Sequence, residues 1–167
     1  MSIVVRPAEV HEYGRVAGIM LAAYGSLPGF RLEGPYAEEL ADVAGRATST
    51  VQLVAVDDTT GEIVGAVTYL DDAGSPYAQP MEQDEAALRM LAVDPVAQRR
   101  GVGAALVRSC IDLARRHGRE RLVLHTTEWM TAGHRLYERL GFRRTPERDA
   151  LVGDRIHLQS YVLDLAP

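Results

Sequence analysis

A single cysteine, Cys110, is the only thiol in the chain, so no internal disulfide can form and a reducing compartment is expected. Its position on the inner stripe of a helical pattern makes it a small core residue rather than a nucleophile. No apolar run approaches the roughly 20 residues that a membrane-crossing helix needs, and Met1 to Pro7 has neither an apolar core nor a cleavage site. A soluble, cytoplasmic protein with no membrane partner follows. Positive charge is also scarce: the formal net charge is -5, which argues against the positive field that nonspecific nucleic-acid binding needs. A cationic partner suits that balance better. His11, His117, His134 and His157 fall at no recognisable ligand spacing, so no metal is predicted. There is no internal repeat and no low-complexity segment.

The composition is that of an ordinary globular protein. With 47% hydrophobic and 25% charged residues over 167 positions, the chain is long enough to bury roughly two thirds of its unfolded surface. One domain spanning 1–167 is expected. Ser2 to Arg6 reads as a β-branched strand stopped by Pro7, and Ala8 to Tyr24 as a helix with apolar residues three and four apart. Gly25 to Pro35 holds too many glycines and prolines for regular structure, and presents Phe30 and Arg31. Tyr36 to Arg46 returns to helical spacing. Val51 to Val56 and Ile63 to Leu70 read as an antiparallel hairpin across Asp57 to Gly61.

Asp71 to Glu85 is a polar connection with five acids, Asp71, Asp72, Glu82, Asp84 and Glu85. It is either a solvated loop or an acidic rim that attracts an amine. Ala86 to Val93 is almost continuously apolar, as a central strand covered on both faces should be. Arg89 interrupts it and needs either an acid or a substrate carboxylate. Val102 to His117 is an amphipathic helix stopped at Gly118. Arg121 to Thr126 is a strand, Trp129 to Leu140 a helix, Phe142 to Thr145 a short strand and Ile156 to Leu165 the last strand. Helices interrupting a mostly antiparallel order, with one parallel pair, predict an α/β or α+β class in three layers.

Between the Ala86 strand and the Val102 helix lies Gln98-Arg99-Arg100-Gly101-Val102-Gly103. Gly101 and Gly103 permit a tight turn and a close approach to a ligand. The amides of the helix's first turn have no partner inside the helix, and with the dipole they form a seat for a phosphate or pyrophosphate. A bare turn that packs strand against helix is the competing explanation. Neither the six-residue dinucleotide fingerprint nor a P-loop is satisfied.

This stretch resembles the pyrophosphate loop of the GCN5-related N-acetyltransferase (GNAT) family: Gln or Arg, two residues, Gly, one residue, then Gly or Ala. Leu88-Arg89-Met90-Leu91-Ala92-Val93-Asp94-Pro95 resembles that family's fourth strand, and Leu136-Tyr137-Glu138-Arg139-Leu140-Gly141-Phe142 its late helix-to-strand junction. The three occur in the family's order and spacing. The resemblance implies the acyl-CoA N-acyltransferase fold, a mixed central sheet of about seven strands with helices on both faces. Its fourth and fifth strands splay to admit the pantetheine arm.

Acetyl-CoA is then the implied cosubstrate, held at its pyrophosphate by Gln98, Arg99, Arg100, Gly101, Val102, Gly103 and Ala104. Leu91, Ala92 and Val93 of the strand would meet pantetheine by edge addition. On this reading, Gly103→Val would fill the space beneath the pyrophosphate. Tyr137 matches the family's leaving-group tyrosine, against the alternative of a core tyrosine. Met130 and Gly133 stand where the family often has Asn and Ala.

An alkylamine with a pKa near 10.4 also needs a base. The family's strand carboxylate falls on Ala87; Glu85 has the same parity and lies roughly 7 Å farther along, as a water-mediated base or a plain rim carboxylate. His125 closes the next strand as base, substrate ligand or structural histidine. With no covalent nucleophile apparent, direct transfer to a primary amine in a ternary complex is expected, by a monomer or homodimer. A non-catalytic acyl-CoA-binding sensor is the alternative. The segment from Tyr24 to Tyr36 and the Asp71 to Glu85 loop should set the acceptor.

Overall fold

In the computed structural model, which describes residues 2–27, 32–128, 130–152 and 156–165, the N-terminal β-branched run forms β1 (Ile3–Pro7). It pairs antiparallel with β2 (Val51–Asp57), which turns back into β3 (Ile63–Leu70). The turn is closed by the Gly61 amide donating to the Asp57 carbonyl at 2.7 Å, with Gly61 at φ 76°, a left-handed conformation that glycine adopts without steric cost. β4 (Glu85–Val93) follows antiparallel to β3, then α4 (Val102–Arg116) crosses over and β5 (Arg121–Thr126) returns parallel to β4. After α5 (Thr131–Arg139) come the short β6 (Arg143–Arg144) and β7 (Ala150–Val152), and finally β8 (Ile156–Asp164). The sheet order is β1-β2-β3-β4-β5-β8-β6, with β7 added alongside β8. The mixed sheet of the GNAT-type fold expected from the sequence is therefore present.

The first helical layer differs from its sequence reading in two places. The Ala8 to Tyr24 helix opens as a 3-10 turn (Val10–Glu12), and α1 proper is Tyr13–Gly25. Arg6 holds that turn through a two-pronged bond to Glu12 at 2.7 and 2.8 Å. The Tyr36 to Arg46 helix is two pieces, α2 (Gly34–Ala41) and α3 (Val43–Ala47). Asp42 breaks it, because its carboxylate accepts from the Gly45 amide at 3.0 Å and starts a new helix there. Arg46 is wholly buried and donates to the carbonyls of Glu39 and Leu40 where α2 ends. A cation at a helix C-terminus satisfies the carbonyls that have no partner in the helix. Phe30, Arg31 and Trp129 lie outside the described residues.

One irregularity in β4 organises everything downstream. Met90 has φ 56°, and opposite Val67 of β3 the register slips, so that Ala66 pairs with Ala92 while Thr68 pairs with Arg89. The extra residue reverses the alternation of side chains. Ala86 and Leu88 pack with Val102 and Leu106 of α4, whereas Met90 and Ala92 pack with Val16, Ile19 and Met20 of α1. Leu91 and Val93 are thereby turned toward α4, on the side of the glycine loop.

Candidate active site

β4 and β5 pair only through Glu85, Ala87 and the residue between them, opposite Arg121 to Val123. Past that point the strands part. The gap is a cavity of about 350 Å³ walled by Leu88, Arg89, Met90 and Leu91 of β4 and by Leu124, His125, Thr126 and Thr127 of β5 and its exit. Tyr137 and Met130 close it from α5 and its approach, Tyr24, Tyr36 and Glu39 from α1 and α2. A parallel strand with no neighbour past its third pair exposes backbone donors and acceptors that an extended ligand can bind.

None of Gln98 to Ala104 lines this cavity; Gln98, Arg99 and Arg100 are exposed and lead into Gly101, which caps α4 at φ 78°. Arg99 is also left-handed, at φ 68°, a conformation that costs a non-glycine residue about 1–2 kcal/mol. Two such residues within three positions turn the chain sharply enough to present the amides of Val102, Gly103 and Ala104 at the helix N-terminus. The Val102 side chain is a core residue, so any ligand contact there is through its backbone.

Gly103 packs against the neighbouring helix. A Cβ at this position would meet Leu136 of α5 at 3.2 Å and Val93 at 3.8 Å, so the missing side chain makes room for α5. Gly103→Val should cost about 1–3 kcal/mol of stability through overpacking, seen as a lowered melting temperature even without ligand.

Tyr137 is 6% exposed, lies in the cavity wall and stacks edge-on against Phe142 at 5.8 Å. Burial pushes its phenol pKa up, so it stays protonated as a donor must. Gly133 is what clears the ring: a Cβ there would lie 3.3 Å from the ring and 3.7 Å from the hydroxyl. Met130, in place of the family's Asn, receives a contact from the Thr126 hydroxyl at 3.4 Å. The neighbouring Thr127 hydroxyl is buried without a partner among the described residues. A buried hydroxyl left unpaired in a cavity wall is costly unless a ligand completes it, so this cleft suits a polar, extended guest. No motif pointed to Thr127.

His125 also lines the cavity, and its Nε2 lies 3.3 Å from the Arg148 carbonyl. A carbonyl only accepts, so Nε2 carries the hydrogen and Nδ1 is the acceptor of the neutral ring. Burial, with help from the nearby Arg148 and Arg89 charges, lowers its pKa, and the ring is neutral at pH 7.

Glu85 does not belong to the Asp71 to Glu85 connection. It opens β4, is wholly buried, and lies outside the cavity lining. Its oxygens accept from Arg148 at 2.7 and 2.7 Å, from Arg121 at 2.7 Å and from the Glu82 amide at 2.8 Å. Burial would raise its pKa, but these bonds outweigh it and hold the carboxyl down to about 2. A carboxylate so committed is no base for a bound amine.

Its stabilising contribution is complete above the unfolded value of 4.5 and is lost as pH falls toward about 2. Glu85→Gln should lower unfolding free energy by about 3 kcal/mol at pH 7 and flatten this acid loss, measurable by chemical denaturation at a series of pH values.

The remaining acids of that connection do not rim the cavity either. Asp71 binds His117 at 2.5 Å, and Asp84 binds Arg121 at 3.0 Å. The acids in the wall are Glu33 and Glu39. Glu39 is the partner that Arg89 required, at 3.0 Å, and Arg89 also donates to the Tyr77 carbonyl at 2.8 Å.

The sequence model of the acetyltransferase (GNAT) family matches residues 19–142. The chain belongs to that family. Members of the GNAT family are acyltransferases that use acetyl-CoA. N-acetylaspartate synthetase of Danio rerio is 37% identical over 90 residues, 53% of this chain. The match spans only 29% of the zebrafish protein's own length.

Two solved structures show the same fold. A GNAT acetyltransferase from Staphylococcus aureus Mu50 superposes with TM-score 0.76 at 14% identity, covering 99% of this chain and 100% of that one. A protein from Salmonella typhimurium, solved with its cofactor acetyl-CoA, superposes with TM-score 0.71 at 22% identity, covering 99% and 95%. Among the described residues of this GNAT chain, no helix is long and apolar enough to cross a membrane.

Proposed function

We propose that this chain, as a single domain, is an acetyl-CoA-dependent N-acetyltransferase of the cytoplasm that moves the acetyl group directly to the primary amine of a small, amino-acid-like acceptor. The observation that carries this reading is the parting of β4 and β5 around a cavity that Tyr137 lines, with a glycine turn opening the helix that follows β4. The α4 amides and the β4 edge at Leu91 and Val93 would hold the cofactor's pyrophosphate and arm, and the thioester supplies an activated acetyl group. Cys110, the chain's one thiol, is buried on the core face of α4, which favours a ternary complex over a covalent relay.

Within the cavity Tyr137 donates a proton toward the leaving sulfur. A thiol with a pKa of about 8.5 leaves with modest help, which a positioned phenol can give. His125 accepts the amine's proton at Nδ1. The wall holds both signs of charge, Arg89 paired with Glu39 at 3.0 Å and Glu33 beside them in the lining, which suits a zwitterion better than a simple polyamine. The name of the zebrafish relative, an enzyme for an acidic amino acid, points the same way.

The test is release of free CoA thiol from acetyl-CoA with a panel of amino acids, polyamines, amino sugars and peptides. Turnover should be highest with an amino acid, and Arg89→Gln should raise its KM about tenfold to a hundredfold with little change in the KM of acetyl-CoA. Acetyl-CoA binding with no turnover across the panel would leave the acyl-CoA sensor instead.

A further inference from the structure

We propose that Glu85 is a positioning residue for His125, acting through Arg148. The inference rests on the proposed role of His125 and explains a feature that role leaves unused. Glu85 is wholly buried at the closed end of the cleft, where β4 and β5 still pair, and His125 lies four residues along β5 from Glu85's partner Arg121. Arg148 spans the interval. Its guanidinium grips both oxygens of Glu85 at 2.7 Å, and its carbonyl accepts from His125 Nε2 at 3.3 Å.

Arg148 ends a short 3-10 turn (Pro146–Arg148) between β6 and β7. The turn is tied to β8 by the Thr145 amide, which donates to the Ser160 carbonyl at 2.9 Å, and by the Thr145 hydroxyl, 2.9 Å from that of Ser160. Its other end is fixed by the grip on Glu85. With both ends held, one carbonyl is presented to one ring nitrogen.

That contact settles a chemical question. An imidazole can carry its hydrogen on either nitrogen, and only the form with the hydrogen on Nε2 leaves Nδ1 free to take a proton from the substrate. A hydrogen bond to the ring nitrogen that does not react is a common way of fixing this choice. Stability alone does not call for the arrangement, because a buried ion pair is often replaceable by apolar residues without loss. The Glu85 carboxylate would then hold the Arg148 carbonyl, and the carbonyl the imidazole, without Glu85 touching either substrate.

The experiment compares Glu85→Gln, Arg148→Met and Arg148→Lys with the unaltered protein. Nitrogen-15 NMR of the histidine ring, on protein without substrate, should show His125 with its hydrogen on Nε2. In Glu85→Gln and Arg148→Met the two tautomers should mix, and in Arg148→Lys, which keeps the ion pair, the original form should be largely retained. Turnover with the best amine of the panel should fall about tenfold to a hundredfold in the first two variants, with acetyl-CoA KM within about twofold, and in a His125→Gln background they should have no further effect.

Arg148 is partly exposed, so its variants test the idea even where Glu85→Gln fails to fold. An unchanged His125 tautomer in folded Arg148→Met would overturn the inference. So would an equal loss in the presence and absence of His125. If no amine is turned over, the proposed function fails while the NMR result still decides the positioning role.

Discussion

Tyr137→Phe should lower kcat by about a hundredfold to a thousandfold and leave acetyl-CoA affinity within about twofold. The expectation follows from position and protonation together. The ring is buried against Phe142 and Tyr161, at 5.8 and 6.0 Å, and phenylalanine keeps those contacts. Only the hydroxyl is lost. Because burial raises the phenol's pKa, it is a proton donor throughout the working range and contributes no limb of its own to the pH profile near neutrality. Steady-state kinetics with isothermal titration of acetyl-CoA measures both quantities. Unaltered kcat in a variant that binds normally would reduce Tyr137 to a core residue.

His125→Gln should cost about a hundredfold in kcat and remove the acidic limb of the profile. A base works only when neutral, so activity should be present above the His125 pKa and disappear as pH falls through it. Burial lowers that pKa below 6.5, which places the limb on the acid side of the ordinary imidazole value. The groups around the ring are Arg89 of β4, Arg148 and Asp149 beyond β6, and the cavity residues Glu33, Glu39, Tyr24, Tyr36 and Tyr137.

The guanidinium charges of Arg148 and Arg89 oppose protonation of the ring, while the bond to the Arg148 carbonyl and the Asp149 charge favour it. An acceptor ammonium bound between Tyr24, Tyr36 and Tyr137 of the cavity wall would itself be desolvated, which would weaken its hold on the proton and narrow the gap to imidazole. Turnover by His125→Gln with an unchanged acidic limb would assign the limb to the substrate amine.

Much of the fold could be read because it is written locally. The Val, Ile and Tyr of Val51 to Val56 and Ile63 to Leu70, parted by Asp57 to Gly61, define a hairpin, and the spacing of Val102, Leu106, Cys110 and Leu113 defines a helix, each from residues only a few positions apart. Asp42 was harder: three residues before Gly45 it is an N-cap signal, yet the apolar spacing of Tyr36, Leu40, Val43 and Ala44 runs straight across it. β7 escaped notice because three residues carry no periodicity.

The site is legible in part for the same reason. Its glycine turn and Tyr137 sit in contiguous motifs. The partners that define the chemistry are far apart in sequence, Glu39 with Arg89 at a separation of 50 residues and Glu85 with Arg148 at 63. Nothing local pairs them. The reversal at Met90 is equally silent, since a methionine at positive φ has no compositional sign, and it decides which residues of β4 turn toward the glycine loop.

The short contact between β4 and β5 makes the sheet two leaves on a narrow spine. β4 runs about 20 Å from Ala87, where that spine ends, to its free end at Val93, at roughly 3.3 Å per residue. A tilt of about 5° between the leaves moves the far end by roughly 2 Å, enough to break a hydrogen bond there while hardly disturbing the spine. The strand thus acts as a lever, and substitutions at the spine should be felt most strongly at its opposite tip, where the arm of the cofactor would lie.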